Sequence, residues 1–521
     1  MIADAKVNSV PRADRRTAPY LALIAVNALA GAVGAWMPEV QTGAVWLIAV
    51  LACLCVAWRP LGEMPFALLV AGCLRRDELI FVVLALAAAR LFVTPGVRLT
   101  ASAGGRLLVL FGTSVAVSAL VGAIFVEFRP LQTALWVLTF FIWLMVLVAR
   151  VPAAAAAPIT AYTRMFVVAM ASQAIAVLAQ LVHEWTLTPG DWAMGTWNSA
   201  NYLGYWATVT AAAVALVALS SPRDALGPAR PRMAGLFAVA VVLAVAAEAK
   251  IYSAGVLLVA GAVAGIIVAR ELVRNRVAAA FKLFGVVMVA VAALSAGHAQ
   301  VARVWTSLQA SLEISRKTVF LDRVFFQQAE RFNPAFGTGP GTAGSRAANA
   351  VAADILYKEE VHVPPALAGS TVAQRWAMGG LWDEELYELI GHYSSVIVMP
   401  FSGVGAVKAE LGYAGLLLLL VLLVAVGTRA VRAGLDPQMP PETMMIHHVA
   451  GLGLLGMIPV AVFDTLWEMP QITAIVASAL LATGGAAART RPQPVLQRRW
   501  PRHDPSAAAR RGRLAELARN P

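Results

Sequence analysis

The amino-acid sequence predicts an all-α polytopic membrane protein of about 12–14 transmembrane helices with one large, partly helical periplasmic loop. Three observations lead there. Of the 521 residues 60% are hydrophobic and 13% charged, where a soluble domain carries roughly 25% charged residues. Apolar runs of the length a helix needs to cross the hydrocarbon core, about 20 residues, follow one another through most of the chain. The arginines and lysines fall mainly in alternate connections, which assigns the net charge of +12 to inner-face loops rather than to nucleic acid.

In order, spans are predicted over 19–36, 43–58, 61–74, 78–95, 105–126, 131–150, 161–182, 199–220, 233–249, 251–270, 281–298, 408–428, 446–466 and 471–488. Lys6, Arg12, Arg15 and Arg16 precede the first, which imitates a signal peptide; the apolar segments that follow at once make it an uncleaved span. With the N-terminus inside, the inner connections receive Arg59, Arg98 and Arg150, then Arg270, Arg274 and Arg276, then Arg429 and Arg432, and an Arg-rich tail follows. Arg75 and Arg76 break the pattern on an outer connection. If 61–74 dips in and returns, another early segment must restore the parity, which gives about twelve spans.

Four segments result: an N-terminal transmembrane bundle (1–298), a large periplasmic loop carrying the site (299–407), C-terminal transmembrane helices (408–488) and a basic cytoplasmic tail (489–521). Cys53, Cys55 and Cys73 lie in or beside apolar runs and form neither a disulfide framework nor a metal-ligand spacing. Loops beyond about 12–15 residues are uncommon unless they work, so the stretch from Ala299 to Val407 is the expected functional part. Within it Val301–Phe332 reads as helix, Asn333–Gly344 as a Pro/Gly turn region and Asp383–Ile390 as a short helix.

Four features stand on the outer side. The turn Gly195-Thr-Trp-Asn-Ser-Ala-Asn201 precedes a span, where Asn and Ser side chains cap free N–H groups. Lys250 lies between two apolar runs, placed to snorkel or to hold an anion at the membrane surface. Arg323 and Arg331, about two helical turns apart, lead into Pro334-Ala-Phe-Gly-Thr-Gly339-Pro-Gly341, which lacks the Gly-Lys-Ser/Thr of a nucleotide loop but offers backbone N–H groups to an anion. His392 precedes Glu410-Leu-Gly412-Tyr-Ala-Gly415 at the start of a span, where the helix dipole favours an acid. Charges inside the spans are few, Arg90 and Asp464 being the clearest, which argues against a transporter.

In their order, these four features resemble the O-antigen ligase and O-antigen polymerase superfamily over residues 160 to 430. The resemblance implies a periplasmic-face glycosyltransferase of the bacterial inner membrane, with both termini cytoplasmic. Its donor is an undecaprenyl-diphosphate-linked glycan and its acceptor a glycan or lipid A core, with no nucleic acid, no metal and no cofactor. By position, Lys250 matches the family's first cation, an Arg there; Arg323 matches its loop arginine, with Arg316 and Arg331 competing for that place; His392 matches its histidine. The implied roles are His392 and Arg323 as catalytic residues, Lys250, Arg323 and Arg331 as diphosphate ligands, and Glu410 and Asn201 as supports. The alternative is a polysaccharide or lipid-linked glycan flippase without catalysis.

Overall fold

The computed structural model of the chain describes residues 12–100, 102–152, 158–185, 192–197, 199–221, 227, 229–247, 250–274, 276–277, 279–280, 316–352, 369–381 and 402–490. In chain order the helices are α1 (Arg12–Val33), α2 (Pro38–Trp58), α3 (Met64–Gly72), α4 (Asp77–Val93), α5 (Ala103–Phe125), α6 (Pro130–Val148), α7 (Ile159–Glu184), α8 (Ala200–Ser220), α9 (Arg230–Ala246), α10 (Lys250–Arg274), α11 (Arg316–Asp322), α12 (Arg346–Asn349), α13 (Val372–Met378), α14 (Gly403–Gly434), α15 (Pro441–Leu455) and α16 (Pro470–Thr490). Among the described residues there is no strand, only a bridge between Arg98 and Arg150, and nine helices are long and apolar enough to cross a membrane. The chain is an all-helical, multi-pass membrane protein.

Local chemistry sets the helix starts. Prolines open α2, α6 and α15, where the missing N–H has no intrahelical partner to lose. Ser102, Ser199, Ser345, Thr371 and Ser402 each accept an N–H at the starts of α5, α8, α12, α13 and α14. Trp46, Leu47 and Val50 of α2 are exposed, as are Leu120 and Ile124 of α5. Such faces suit lipid, which leaves no apolar surface in water.

The short third segment is the inner wall of the bundle. Every residue from Leu61 to Leu74 is buried. Tyr20 Oη donates to Glu63 Oε2 (3.0 Å) and Asn27 Nδ2 to Cys73 O (2.8 Å), so α3 runs beside α1 in the same direction and does not turn back. Two further boundaries differ from expectation. α14 begins at Gly403, ahead of 408, and Asp464 lies in the turn after α15 rather than inside a span. The span expected over 281–298 lies outside the described residues.

Contacts sort the connections into two ends. At one, Thr196 Oγ1 and Trp197 Nε1 donate to Cys73 O and Gly72 O (both 2.7 Å), Asp77 pairs with Arg346, and Glu127 Oε2 accepts the Val372 N–H (3.2 Å). At the other, Arg98 and Arg150 exchange backbone bonds and Ser221 meets Met444. The starts of α4, α8 and α10 and the turn after α15 share the first end.

Candidate functional site

The first element of the site is a break in α14. Gly412 has φ 68°, a left-handed conformation inside a helix, which interrupts the backbone ladder. In a membrane such freed groups must be satisfied by protein. Here the loop Pro334–Gly339 does it: Thr338 and Gly339 N–H donate to Ala409 O and Glu410 O (3.0 and 2.9 Å), while Tyr413 and Ala414 N–H donate to Pro334 O and Ala335 O (3.0 and 3.1 Å). The fit leaves no room for side chains. A Cβ on Gly412 would lie 2.2 Å from Ala335 O, and one on Gly337, itself at φ 74°, 2.3 Å from Glu410 O.

Glu410 then closes the rest of the loop. Fully buried, its carboxylate accepts N–H groups from Gly341 at Oε2 and from Ala343 and Ser345 at Oε1, each 3.0 Å. The Gly-rich turn is therefore an anion nest filled by the protein's own carboxylate, not one held open for a ligand. Nor does it hang in the outer space, since Gly337–Ser345 is buried throughout. Gly341 lies against Gln132 O, Ser118 Oγ donates to Glu410 O (2.6 Å), and Thr133 Oγ1 to Pro340 O (3.4 Å), which lodges the turn between α5, α6 and α14.

Beside it lies a cluster of charges. Arg346 pairs through Nη2 with Asp77 Oδ2, whose Oδ1 accepts from Gln471 Nε2. The Arg346 N–H donates to Glu468 Oε2 (2.6 Å), Tyr252 Oη to Asp464 Oδ2, and Lys317 Nζ to Phe463 O. Burial, reinforced by the Glu410 charge, pushes the Glu468 carboxyl up to about 8. Burial also lowers the Lys317 ammonium to about 8, against the pull of Asp464. Below the cluster, buried Lys408 donates to Gln328 Oε1 (2.7 Å) and Val324 O (3.2 Å) and lies 4.1 Å over the Tyr413 ring.

The residues singled out from sequence divide as follows. Glu410 is the anchor of the loop. Arg323, half-buried, donates from Nη1 to Trp376 O, Ala377 O and Gly379 O (3.3, 3.3 and 2.9 Å) and so closes the C-terminal end of α13. Arg331 is exposed on the same segment, and Asn201 is half-buried in the first turn of α8, its N–H on Ser199 Oγ (3.2 Å). Lys250 opens α10, two residues from Tyr252; its side chain and the whole of His392 lie outside the described residues. The starts of α8 and α10, the Gly-rich loop and Glu410 thus share one end.

Arg346, Asp77 and Lys317 escaped sequence reasoning. Arg346 follows the Gly-rich turn by one Ser, but an arginine in a loop carries no pattern; Asp77 reads as an ordinary acid at a helix start. No family model matches the chain, and neither a curated protein nor a solved structure matches it.

Proposed function

We propose that the chain is a glycosyltransferase of the bacterial inner membrane. It moves a glycan from a polyprenyl (undecaprenyl) diphosphate to an acceptor hydroxyl at the periplasmic face, as O-antigen ligase or as O-antigen or exopolysaccharide polymerase. One observation carries this: segments that resemble that superfamily, far apart in sequence, gather at one end of the bundle, where Glu410 fastens the Gly-rich loop to its own span. A flippase has no need of that assembly.

In this reading the site end faces the periplasm and both termini the cytoplasm, as the distribution of arginine favours. The acceptor oxygen attacks the anomeric carbon as the diphosphate departs, and cations stabilise the charge on the leaving oxygens. Lys250 at the start of α10 and Arg331 on the exposed side of the loop supply them, with Arg323 contributing the guanidinium donors that α13 does not use. His392 takes or orients the acceptor proton.

Membranes holding the full chain, given lipid-linked donor and acceptor, should form product. Deletion should remove glycan from lipid A core if the chain is a ligase, or leave single repeats if it is a polymerase. Movement of lipid-linked glycan across the membrane with no product would assign a flippase instead.

A further inference from the structure

Two donors of unusual quality converge on one poor acceptor. Arg346 Nη1 lies 3.1 Å and Tyr202 Oη 2.8 Å from the sulfur of Met469. A thioether is a weak acceptor, whereas guanidinium and phenol groups in protein interiors normally find oxygen. One residue before and two after Met469, two further polar atoms are unmet among the described residues. Glu468 Oε1 and Gln471 Oε1, on fully buried side chains, have no hydrogen-bond partner among the described residues, although the other end of each is held, Glu468 Oε2 by the Arg346 N–H and Gln471 Nε2 by Asp77. Buried polar atoms left unmet are costly.

A ligand able to meet both needs must bring donors and acceptors together. Phosphate brings acceptors alone, and here it would face the carboxylate of Asp77. An ammonium brings donors alone and would face Arg346. Hydroxyl groups do both, with lone pairs for Arg346, Tyr202 and the protonated Glu468 carboxyl and a proton for Gln471. Hydroxyls fixed on a rigid ring are a sugar. The place is reachable, since the side chains of Arg346 and Asp77 are 33% and 12% exposed at the end of the bundle that holds the loop.

We propose that Tyr202, Arg346, Glu468 and Gln471 bind one sugar residue, with Met469 as a plug that the sugar displaces. The unbranched thioether side chain moves aside at little cost, and its sulfur holds two donors only until oxygens arrive. This rests on the reading of the chain as a handler of lipid-linked glycan.

The test uses the full chain purified in detergent from membranes that make the glycan, with native mass spectrometry reading the fraction that carries a sugar-bearing lipid. Tyr202→Phe and Arg346→Lys each remove or displace one donor and should weaken retention about tenfold. Met469→Leu keeps the bulk but removes the competing acceptor, so it should retain the lipid as well as the wild type or better. A sulfur serving only as packing support would make Met469→Leu behave like the other two, and that result overturns the plug. Should Arg346→Lys fail to fold, Tyr202→Phe and Met469→Leu decide by their opposite signs. Equal retention in the wild type and Tyr202→Phe sinks the sugar site while leaving the glycosyltransferase standing. A wild type that holds no sugar-bearing lipid sinks both.

Discussion

Glu468 shows how much a single side chain can hide from sequence. It stands in an apolar stretch beside Trp467, and nothing in the run says that its carboxyl will be fully buried. Because its folded value of about 8 lies above the ordinary 4.5, its contribution to stability is full below about pH 4.5 and is lost as pH rises through about 8. Glu468→Gln keeps the shape and removes the titration. Its melting temperature in detergent should match the wild type near pH 4.5 and exceed it by a margin that grows up to about pH 8; parallel curves for the two proteins would contradict the shift. Glu410 was legible as an acid at a helix start, yet its three N–H donors come from a loop some seventy residues earlier, at a separation no local pattern encodes. Glu410→Gln replaces one accepting oxygen by a donor and should cost about 1.5–3 kcal/mol, read as a lowered melting temperature. Lys250→Ala should cut transfer sharply with insertion intact and Lys250→Arg much less, since a planar fork holds phosphate oxygens at least as well. His392→Ala should cost about 10² to 10⁴ in rate while donor binding persists; unchanged turnover would remove it from the chemistry.

Among the elements, α14 departs most from its sequence pattern. Gly412 and Gly415 look like ordinary small residues near a helix start, and the apolar run after them reads as one uninterrupted span. The break at Gly412 becomes visible only with its partner loop, because the carbonyls it frees are met by Thr338 and Gly339. Gly412→Ala and Gly337→Ala place a methyl at 2.2 and 2.3 Å from backbone oxygen at left-handed positions, so neither should give monodisperse protein. Gly43→Ala on α2, with nothing among the described residues within 4 Å of the new methyl, should be silent in the same chromatographic assay. Arg323 gives the element scale a second measurement. Having read as a ligand, it also closes α13, so Arg323→Ala should lower stability by about 1–2 kcal/mol whatever it does to transfer. An Arg323→Ala protein that melts with the wild type would mean that the α13 carbonyls find other donors.

At the scale of the whole molecule, the spans were legible because bilayer thickness imposes their length, and most boundaries among the described residues matched to within a few residues; α1, α2, α14 and α15 begin five to seven residues earlier than expected, and α15 ends at Leu455, well short of 466. Wall-like α3 was too short to be classed by length alone; its burial follows from neighbours, not from its own residues. A cysteine at exposed Glu78, in the first turn of α4, and another at exposed Gln438, before α15, sit at opposite ends. In a background lacking Cys53, Cys55 and Cys73, an impermeant maleimide applied to intact spheroplasts should label Glu78→Cys and spare Gln438→Cys. The reverse pattern would turn the protein over and place the polar cluster in the cytoplasm.

The stitching of the Gly-rich loop to α14 also sets a schedule for biogenesis. Residues 334–345 leave the ribosome well before Glu410, yet most of the groups that fasten them, from Ala409 O to the N–H of Ala414, belong to the later helix. In the proposed orientation the loop waits on the periplasmic side during synthesis with its amides in water, since pairings this distant in sequence form late. A nascent chain ending just before Gly403 would carry most of the spans and still present an unfastened loop to envelope proteases. Addition of α14 alone, supplied as a separate segment, should be enough to protect it.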